Sequence, residues 1–427
     1  MIAGMFDRLL VRLAPIAVLW LLTGCSVSVT PEPFPSHPTS EPPQQTADLA
    51  AAVCGSDPFG CVEVAEGDPI LIGTALTLTG PDAPLGLDSQ YGAQVALNLR
   101  GALLGHDVEL VQHDDRCSPD GGTAAANLLV ELEGLVAVIG TSCSSAAEPA
   151  ADILGERGIL LVSPSNTAPR LTADAPERFY VRTAPNDLEQ GSAMAQFACT
   201  EVEVATAATI GDGGEYAEAL QEAFASEFGS ACDGTVTEQV NITTEGATVD
   251  AALARIATSN NGASPDVLYY PLADDLGSLI TRRAGETPGL EDTILAGIHI
   301  GEDGRVTPEL VDGMYLSAPM LTPTGDFYEG SFLEEYRSVS GSDDPIAAFH
   351  GHAYDAVNLV LDAVVEVAIE EEGTLHIPRM ALRQAILAVQ GYEGLTGTFT
   401  CDENGDCGDA TITVSLVDGG RLEPVWP

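Results

Sequence analysis

The chain contains no lysine: all 16 of its basic residues are arginine, against 64 aspartate and glutamate residues. The formal net charge is −48 at pH 7, and the sequence pI is near 4.1. Because so little positive charge is available to neutralise phosphates, the composition argues against a nucleic-acid partner. Such acidity is typical of a surface adapted to salt or low pH, but it also serves solubility alone. Composition does not separate these two readings.

Patterns that would indicate an enzyme or a metal site are also lacking. None of the seven histidines stands in sequence beside a serine or cysteine nucleophile, so we predict that the chain is not an enzyme. Cys401 and Cys407 have acidic residues between them, yet no second close cysteine or histidine pair completes a zinc pattern. We therefore expect neither a metal nor a cofactor.

Long apolar runs are scarce as well. Leu13–Leu22 is the one notable run, and it is too short to span a membrane as a mature helix. Arg8 and Arg12 precede it, and it ends in Leu22-Thr23-Gly24-Cys25, which resembles the lipobox of bacterial lipoproteins. This pattern predicts a signal peptide over residues 1–24 and a lipid on Cys25. The alternative is an ordinary secretory peptide with a coincidental cysteine.

The mature chain is accordingly expected outside the cytoplasm, held on the outer face of the cell membrane by its lipid anchor only. Residues 26–53 are rich in proline, serine and threonine and show no periodicity, which is typical of a semi-extended tether. We place this tether, together with a short disulfide loop, at residues 25–67.

Cysteine usage fits an exported protein. Setting Cys25 aside leaves eight of the nine cysteines, and an even number in this context predicts disulfides. Eight cysteines allow 105 pairings. Proximity in sequence favours four pairs: Cys54–Cys61, Cys117–Cys143, Cys199–Cys232 and Cys401–Cys407.

One segment indicates both the fold class and a site. Val136–Ile139 and Ile159–Val162 are short, β-branched runs that predict buried strands, and an alanine-rich helical pattern separates them. A strand–helix–strand unit implies parallel strands in an α/β sheet. Ligands of such sheets bind at the carboxyl ends of strands, near helix N-termini that favour anions. Small hydroxyl residues follow both predicted strands, which predicts a pocket for a small carboxylate: Ser142, Ser144, Ser145, Ser163, Ser165 and Thr167.

The same alternation of strands and helices continues along the rest of the chain. About 360 residues follow the tether, which is too many for one core and suits two domains. Two successive arrays of strands and helices predict two similar lobes, although no repeat is detectable by residue identity.

Several phrases of the sequence indicate a resemblance to a known family. The chain resembles the type I periplasmic binding proteins of the leucine/isoleucine/valine-binding class, which are the solute receptors of ABC importers. The order and spacing of several phrases carry the resemblance: IGTALTLTGPDAPLG (72–86), HDDRCSP (113–119), VIGTSCSS (138–145), GILLVSPSNTAPRLT (158–172), FYVRTAPNDLEQG (179–191), AYDAVNLV (353–360) and GLTGTFTCDENGD (394–406).

The resemblance implies an α/β fold of two Rossmann-like lobes with parallel-sheet cores, joined by a three-strand hinge. Lobe one would comprise residues 68–186 and 318–395, and lobe two residues 187–317 and 396–427. It also implies a disulfide matching Cys117–Cys143, in agreement with the argument from proximity.

The resemblance further implies a set of ligand contacts. Ser144 and Thr167 would hold a ligand carboxylate, and the backbone carbonyl of Ser165 would hold an ammonium group. Tyr216, near the start of a helix in lobe two, would close over the ligand.

Two positions depart from the family pattern. Where the family has an acid that completes the ammonium site, this chain has His299 nearest by length, with Glu302 and Asp303 within a short shift. Leu85 stands where a family aromatic often shapes the side-chain pocket. The identity of the ligand therefore stays open.

These features together predict an extracytoplasmic solute-binding lipoprotein. It would capture a small zwitterionic solute, such as a branched-chain amino acid, between two closing lobes and deliver it to ABC permease subunits. The alternative is a ligand sensor that passes its occupancy to a signalling partner. We expect a monomer.

Overall fold

The computed structural model describes residues 47–173, 176–242, 246–272, 275–299, 311–320, 323–408 and 411–427. The predicted signal peptide, Cys25, Glu302 and Asp303 lie outside these residues. The helices in the described part are α1 (Ala47–Ser56), α2 (Ala83–Arg100), α3 (Pro119–Leu129), α4 (Ser144–Gly155), α5 (Asp187–Thr200), α6 (Glu215–Cys232), α7 (Gly246–Ile256), α8 (Asp275–Glu286), α9 (Leu333–Ser340), α10 (His350–Val367) and α11 (Arg379–Leu387), with a 3₁₀ turn at Pro169–Leu171 and a π-helical segment at Tyr328–Phe332.

The strands are β1 (Cys61–Val64), β2 (Ile70–Leu76), β3 (Val108–Asp114), β4 (Leu135–Gly140), β5 (Leu160–Ser163), β6 (Tyr180–Arg182), β7 (Thr206–Gly211), β8 (Thr235–Asn241), β9 (Val267–Tyr270), β10 (Ile294–Ile298), β11 (Tyr315–Pro319), β12 (Ile369–Glu371), β13 (Thr374–Pro378), β14 (Gln390–Glu393), β15 (Thr398–Thr400), β16 (Ile412–Asp418) and β17 (Arg421–Trp426).

Lobe one is built on a five-stranded parallel sheet in the order β3-β2-β4-β5-β6. Helices cover both faces of this sheet, so its central strands are near-continuous apolar runs. Strand β4, Leu-Val-Ala-Val-Ile-Gly, is buried along its whole length. The predicted strands at Val136–Ile139 and Ile159–Val162 are β4 and β5, and α4 connects them as expected.

Lobe two is built on a seven-stranded sheet in the order β17-β16-β11-β10-β9-β7-β8. Strands β7 to β11 are parallel and repeat the order of lobe one, whereas β16 and β17 run antiparallel at one edge. The two lobes therefore share one topology, and the predicted α/β fold of two parallel-sheet lobes is confirmed. In the described part of the chain, consecutive elements change from one sheet to the other after β6, after β11 and before β16.

The predicted tether at 25–67 extends too far. Ala47–Ser56 forms α1, and β1 pairs antiparallel with β13 in a small sheet of order β1-β13-β12. Val62 and Val64 alternate with exposed residues in β1 and join the core of lobe one. Burial of these two valines explains why the segment folds onto the lobe instead of continuing as a tether.

Two further boundaries differ from the predicted ones. The segment after residue 396 does not enter lobe two at once, because β15 pairs with β14 and Phe399 packs into the core of lobe one. Residues 318 and 319 were predicted to belong to lobe one, but β11 extends to Pro319 within the sheet of lobe two.

All four predicted cysteine pairs are bonded in the structure: Cys54–Cys61, Cys117–Cys143, Cys199–Cys232 and Cys401–Cys407. Cys117–Cys143 ties the loop after β3 to the start of α4. In the chain-entropy model, a bridge closing a loop of this length contributes about 3–4 kcal/mol.

Candidate ligand-binding site

A cavity of about 600 Å³ opens at the carboxyl ends of the strands, where parallel sheets place their ligand sites. Ser165 and Thr167 line it from lobe one, and Tyr216 and His299 line it from lobe two. The structure therefore brings together four of the residues that the sequence singles out. Their gathering at one cavity makes this the candidate binding site.

The loop after β5 is shaped by its own hydroxyl groups. The Ser163 hydroxyl oxygen accepts hydrogen bonds from the backbone N–H groups of Ser165 (3.3 Å) and Asn166 (3.0 Å). The Ser165 hydroxyl donates to the Ser142 carbonyl at the end of the neighbouring strand, at 2.9 Å. These bonds fix the backbone that presents Ser165 and Thr167 to the cavity.

A fully buried arginine, Arg182, supports this loop through hydrogen bonds to its backbone. The Arg182 guanidinium donates to the carbonyls of Asn166 (3.3 Å) and Ala168 (2.9 Å), which flank Thr167 on both sides. Its charge is paired with Asp406, in the segment that Cys401–Cys407 closes. A rigid fork of donors suits this task, because it holds two carbonyls and a carboxylate at once.

Asp187 is the acidic residue among the described residues that line the cavity, and it is not one of the site residues predicted from the sequence. It is the first residue of α5 and is only 5% exposed. Its backbone N–H donates to the Thr167 carbonyl at 3.0 Å. Burial raises the pKa of the Asp187 carboxyl to about 7, although a hydrogen bond from Thr167 and the charge of Arg182 oppose the rise. A carboxylate in such a place is stabilised by a cation.

Lobe two contributes a connected set of polar groups. The Tyr216 hydroxyl donates to the side-chain oxygen of Gln190 at 2.9 Å, and the Gln190 amide donates to the Ser317 carbonyl at 3.0 Å. The same carbonyl accepts the backbone N–H of His299 at 2.9 Å. Tyr216 is thus oriented at the cavity by a bonded partner, in the position predicted for a residue that closes over a ligand.

Ser144 lies close to this group but does not line the cavity. Its hydroxyl oxygen accepts the backbone N–H of Ala168 at 3.3 Å, directly after Thr167. The hydroxyl hydrogen can still be donated to a ligand oxygen, and Ser144 begins α4, whose N-terminus favours an anion. Glu302 and Asp303, the alternatives to His299, lie outside the described residues.

The rest of the cavity is mainly apolar. Leu85 and residues 345–349, with the sequence Pro-Ile-Ala-Ala-Phe, form a surface that we call the apolar wall. The wall comes from lobe one, next to the N-termini of α2 and α10. One cavity thus combines hydrogen-bonding and acidic groups with a surface suited to an aliphatic side chain.

The lobes also touch outside the cavity. Arg170, in the 3₁₀ turn of lobe one, pairs with Glu215 at the start of α6 in lobe two. Arg170 also pairs with Glu148 of its own lobe at 3.1 Å. All three side chains are partly exposed, so each pair is worth at most about 1 kcal/mol. This contact favours the arrangement in which the lobes face each other closely.

The sequence did contain a signal for Asp187. Asn186 and Asp187 follow strand β6, and Asn186 accepts the backbone N–H of Leu188 at 3.1 Å as a helix cap. An asparagine followed by an acid is the ordinary start of a helix, so the pattern alone indicates capping. Burial of the acid beside Thr167 is what turns this position into a site residue.

Comparisons with known proteins agree with the fold. The family model described as periplasmic binding protein matches residues 69–420. The chain therefore belongs to the periplasmic binding protein family, and it is a binding protein and not an enzyme. This family membership also confirms the predicted location outside the cytoplasm.

Individual relatives span nearly the whole family region. The chain is 28% identical to the Leu/Ile/Val-binding protein homolog 3 of Brucella melitensis over 381 residues, which covers 88% of this chain and 98% of that protein. A leucine-binding protein from Thermotoga maritima has a TM-score of 0.63 at 24% identity, covering 83% of this chain and 97% of that one. A substrate-binding protein from Streptococcus pneumoniae, solved with isoleucine, has a TM-score of 0.61 at 21% identity, covering 84% of this chain and all (100%) of that one.

Proposed function

We propose that this protein captures an α-amino acid with an aliphatic side chain outside the cytoplasm and delivers it to the permease of an ABC importer. One observation carries the proposal: a buried carboxyl, Asp187, shares a cavity with the Ser165–Thr167 loop and the apolar wall. The name of the Brucella relative and the isoleucine bound to the Streptococcus protein support the same ligand class. The comparisons do not favour the alternative of a signalling sensor.

The ammonium end of the ligand would be held by Asp187 together with the Ser165 carbonyl. An ammonium offers three donors, and a buried carboxylate is the strongest acceptor for one of them. His299 would be a weaker partner, since only its neutral ring accepts a hydrogen bond. Asp187, at the start of α5, would therefore supply the acid that the family pattern places after β10.

The carboxylate end would be held by Ser144 and Thr167. Ser144 is the first residue of α4, where the helix dipole adds to the hydrogen bonds, and its hydroxyl is bonded to the backbone of Ala168, directly after Thr167. Tyr216 would complete the polar surroundings from lobe two, so that ligand binding stabilises the closed arrangement of the lobes.

Replacing Thr167 with alanine is expected to weaken leucine binding about tenfold to a hundredfold. The Thr167 hydroxyl has one hydrogen, which would turn from Asp187 to the ligand carboxylate on binding, and a charge-assisted bond of this kind is worth about 1.5–3 kcal/mol. Isothermal titration calorimetry measures the effect, and Ser144→Ala should show a loss of similar size. Thr200→Ala, which alters an exposed helix end, is the matched control and should bind normally.

The same titration tests the ligand class. Leucine, isoleucine and valine should bind, and the 2-oxo acid of leucine should not, because it lacks the ammonium that Asp187 requires. Equal binding of the oxo acid would contradict the ammonium site. Undiminished leucine binding in the Ser144/Thr167 double alanine variant would remove the carboxylate site.

We further propose that a lipid on Cys25 anchors the protein to the outer face of the membrane. None of the helices in the described part of the chain has the length and apolarity that crossing a bilayer requires. Cys25→Ser should therefore move the protein from the membrane fraction to the soluble fraction, while Ser26→Ala should not. A wild-type protein that is already soluble and begins beyond residue 25 would contradict the anchor.

A further inference from the structure

Asp88 is a buried acid with an unusual number of donors around it. It lies on α2, is fully buried, and does not line the cavity. One carboxylate oxygen accepts the Tyr336 hydroxyl (2.6 Å) and the backbone N–H of Ile346 (3.2 Å). The other accepts the backbone N–H groups of Phe349 (3.0 Å) and His350 (2.8 Å), and the His350 ring nitrogen Nδ1 lies 3.0 Å away.

Three of these donors belong to the backbone of the apolar wall or to the residue directly after it. Phe349 caps α10 and His350 is its first residue, so their N–H groups have no acceptor within the helix. Asp88 supplies that acceptor from a different helix. It also fixes Ile346, so one carboxylate holds both ends of the segment that lines the cavity.

The surroundings leave this segment little freedom to move. The other nitrogen of His350, Nε2, lies 2.8 Å from the Tyr328 hydroxyl, and its ring packs against Tyr328, Phe332 and Tyr336. Helices α2 and α10 meet closely at Gly92, where a Cβ atom would lie 2.0 Å from the His350 carbonyl oxygen. Asp88 therefore connects the two elements that carry the wall, because Leu85 lies one turn before it on α2.

We propose that Asp88 sets the size of ligand side chain that the cavity accepts, by holding the backbone of the apolar wall in place. The inference rests on the proposed function, since it concerns the aliphatic end of an amino-acid ligand. Asp88 is a positioning residue and does not touch the ligand. Its effect should appear for ligands whose side chains reach the wall and be absent for alanine, whose methyl group does not.

The test compares leucine and alanine binding by calorimetry in Asp88→Asn. Asparagine offers one acceptor oxygen where Asp88 offers two, so the N–H groups of Ile346 at one end of the wall and of Phe349 and His350 at the other can no longer both be held. Leucine affinity should fall about tenfold or more, while alanine affinity stays within about threefold, since contacts in an apolar pocket set discrimination of this size. Tyr336→Phe removes one of the donors to Asp88. It should also lower the ratio of leucine affinity to alanine affinity, but by a smaller factor.

Asp355→Asn is the matched control. Asp355 is also a buried acid that caps backbone N–H groups, but its partners are Leu395 and Thr396, away from the cavity. Its ratio of leucine to alanine affinity should equal that of the wild type. Hydrogen exchange of the peptide covering 345–350, without ligand, should accelerate in Asp88→Asn and not in Asp355→Asn.

The outcomes separate the two proposals. If the wild type binds neither leucine nor alanine, the proposed function fails, and the assignment of Asp88 to selectivity fails with it. If the wild type binds leucine and the ratio is unchanged in Asp88→Asn, only the inference about Asp88 is overturned. Should Asp88→Asn not fold, an unchanged ratio in Tyr336→Phe overturns it instead.

Discussion

Asp187→Asn is expected to lower leucine affinity by about a hundredfold to several thousandfold. The ligand ammonium would enter a buried site without its counter-charge, and breaking a buried pair in this way costs about 3–5 kcal/mol. The asparagine still accepts a hydrogen bond from Thr167, so the shape of the loop should persist. Calorimetric titration measures the affinity. Asp355→Asn removes a buried carboxyl outside the cavity and should leave leucine binding unchanged.

The same substitution should stabilise the empty protein. Burial raises the pKa of Asp187 to about 7 in the folded state, whereas an unfolded aspartate titrates near 3.9. The contribution of this group to the free energy of unfolding should therefore be greatest below about pH 4. It should decrease as pH rises and be lost once the pH has passed about 7. At pH 8 the ionised carboxylate costs on the order of 4 kcal/mol, and Asp187→Asn removes that cost. Urea unfolding at pH 5 and pH 8 without ligand would show the difference.

Leucine affinity should change with pH in the direction opposite to stability. Only the ionised Asp187 attracts an ammonium, so leucine affinity should rise as pH increases towards about 7 and level off above it. If His299 were the partner, affinity would also fall at low pH, because a protonated ring repels the ligand. Substitution separates the cases: His299→Gln should keep the pH profile, and Asp187→Asn should flatten it. A flat profile in His299→Gln would favour the histidine instead.

Much of lobe one could be predicted from local sequence. Short β-branched runs on either side of an alanine-rich helix define β4, α4 and β5, and parallel strands place their following loops at one edge. The position of Ser165 and Thr167 at one edge of the sheet was therefore predictable, and both line the cavity. The register of β5 and β6, in which Ser163 faces Arg182, also brings residue 187 to the same edge. The burial of Asp187 could not be predicted, because the sequence does not reveal how two lobes enclose a loop.

The features that escaped prediction depend on partners far apart in the chain. Strand β1 has four residues, and its partner β13 lies about three hundred positions later, so no local pattern announces the pair. The sequence of the apolar wall shows neither a helical nor a strand periodicity. Its backbone is held by hydrogen bonds to Asp88, which lies on helix α2. An isolated acid or a Pro-Ile-Ala-Ala-Phe segment carries no such information by itself.

Arg182 also depends on a partner far away in the chain, Asp406. Its replacement should cause the second large effect that we predict, a loss of stability. Arg182→Leu removes the charge that pairs with Asp406 and the donors to the carbonyls of Asn166 and Ala168. Breaking a buried ion pair from one side costs about 3–5 kcal/mol, so we expect a comparable fall in the free energy of unfolding. Urea denaturation with the disulfides intact measures it.

Arg182→Lys separates stability from binding. A lysine keeps the charge beside Asp406, but a single ammonium cannot reproduce the fork that reaches two carbonyls. This variant should remain folded with a smaller loss of stability, yet bind leucine about tenfold more weakly, because the backbone on both sides of Thr167 is no longer fixed. Arg157→Lys, on an exposed turn, should change neither property. Wild-type leucine affinity in Arg182→Lys would show that the ion pair with Asp406, and not the support of the Thr167 loop, is what Arg182 contributes.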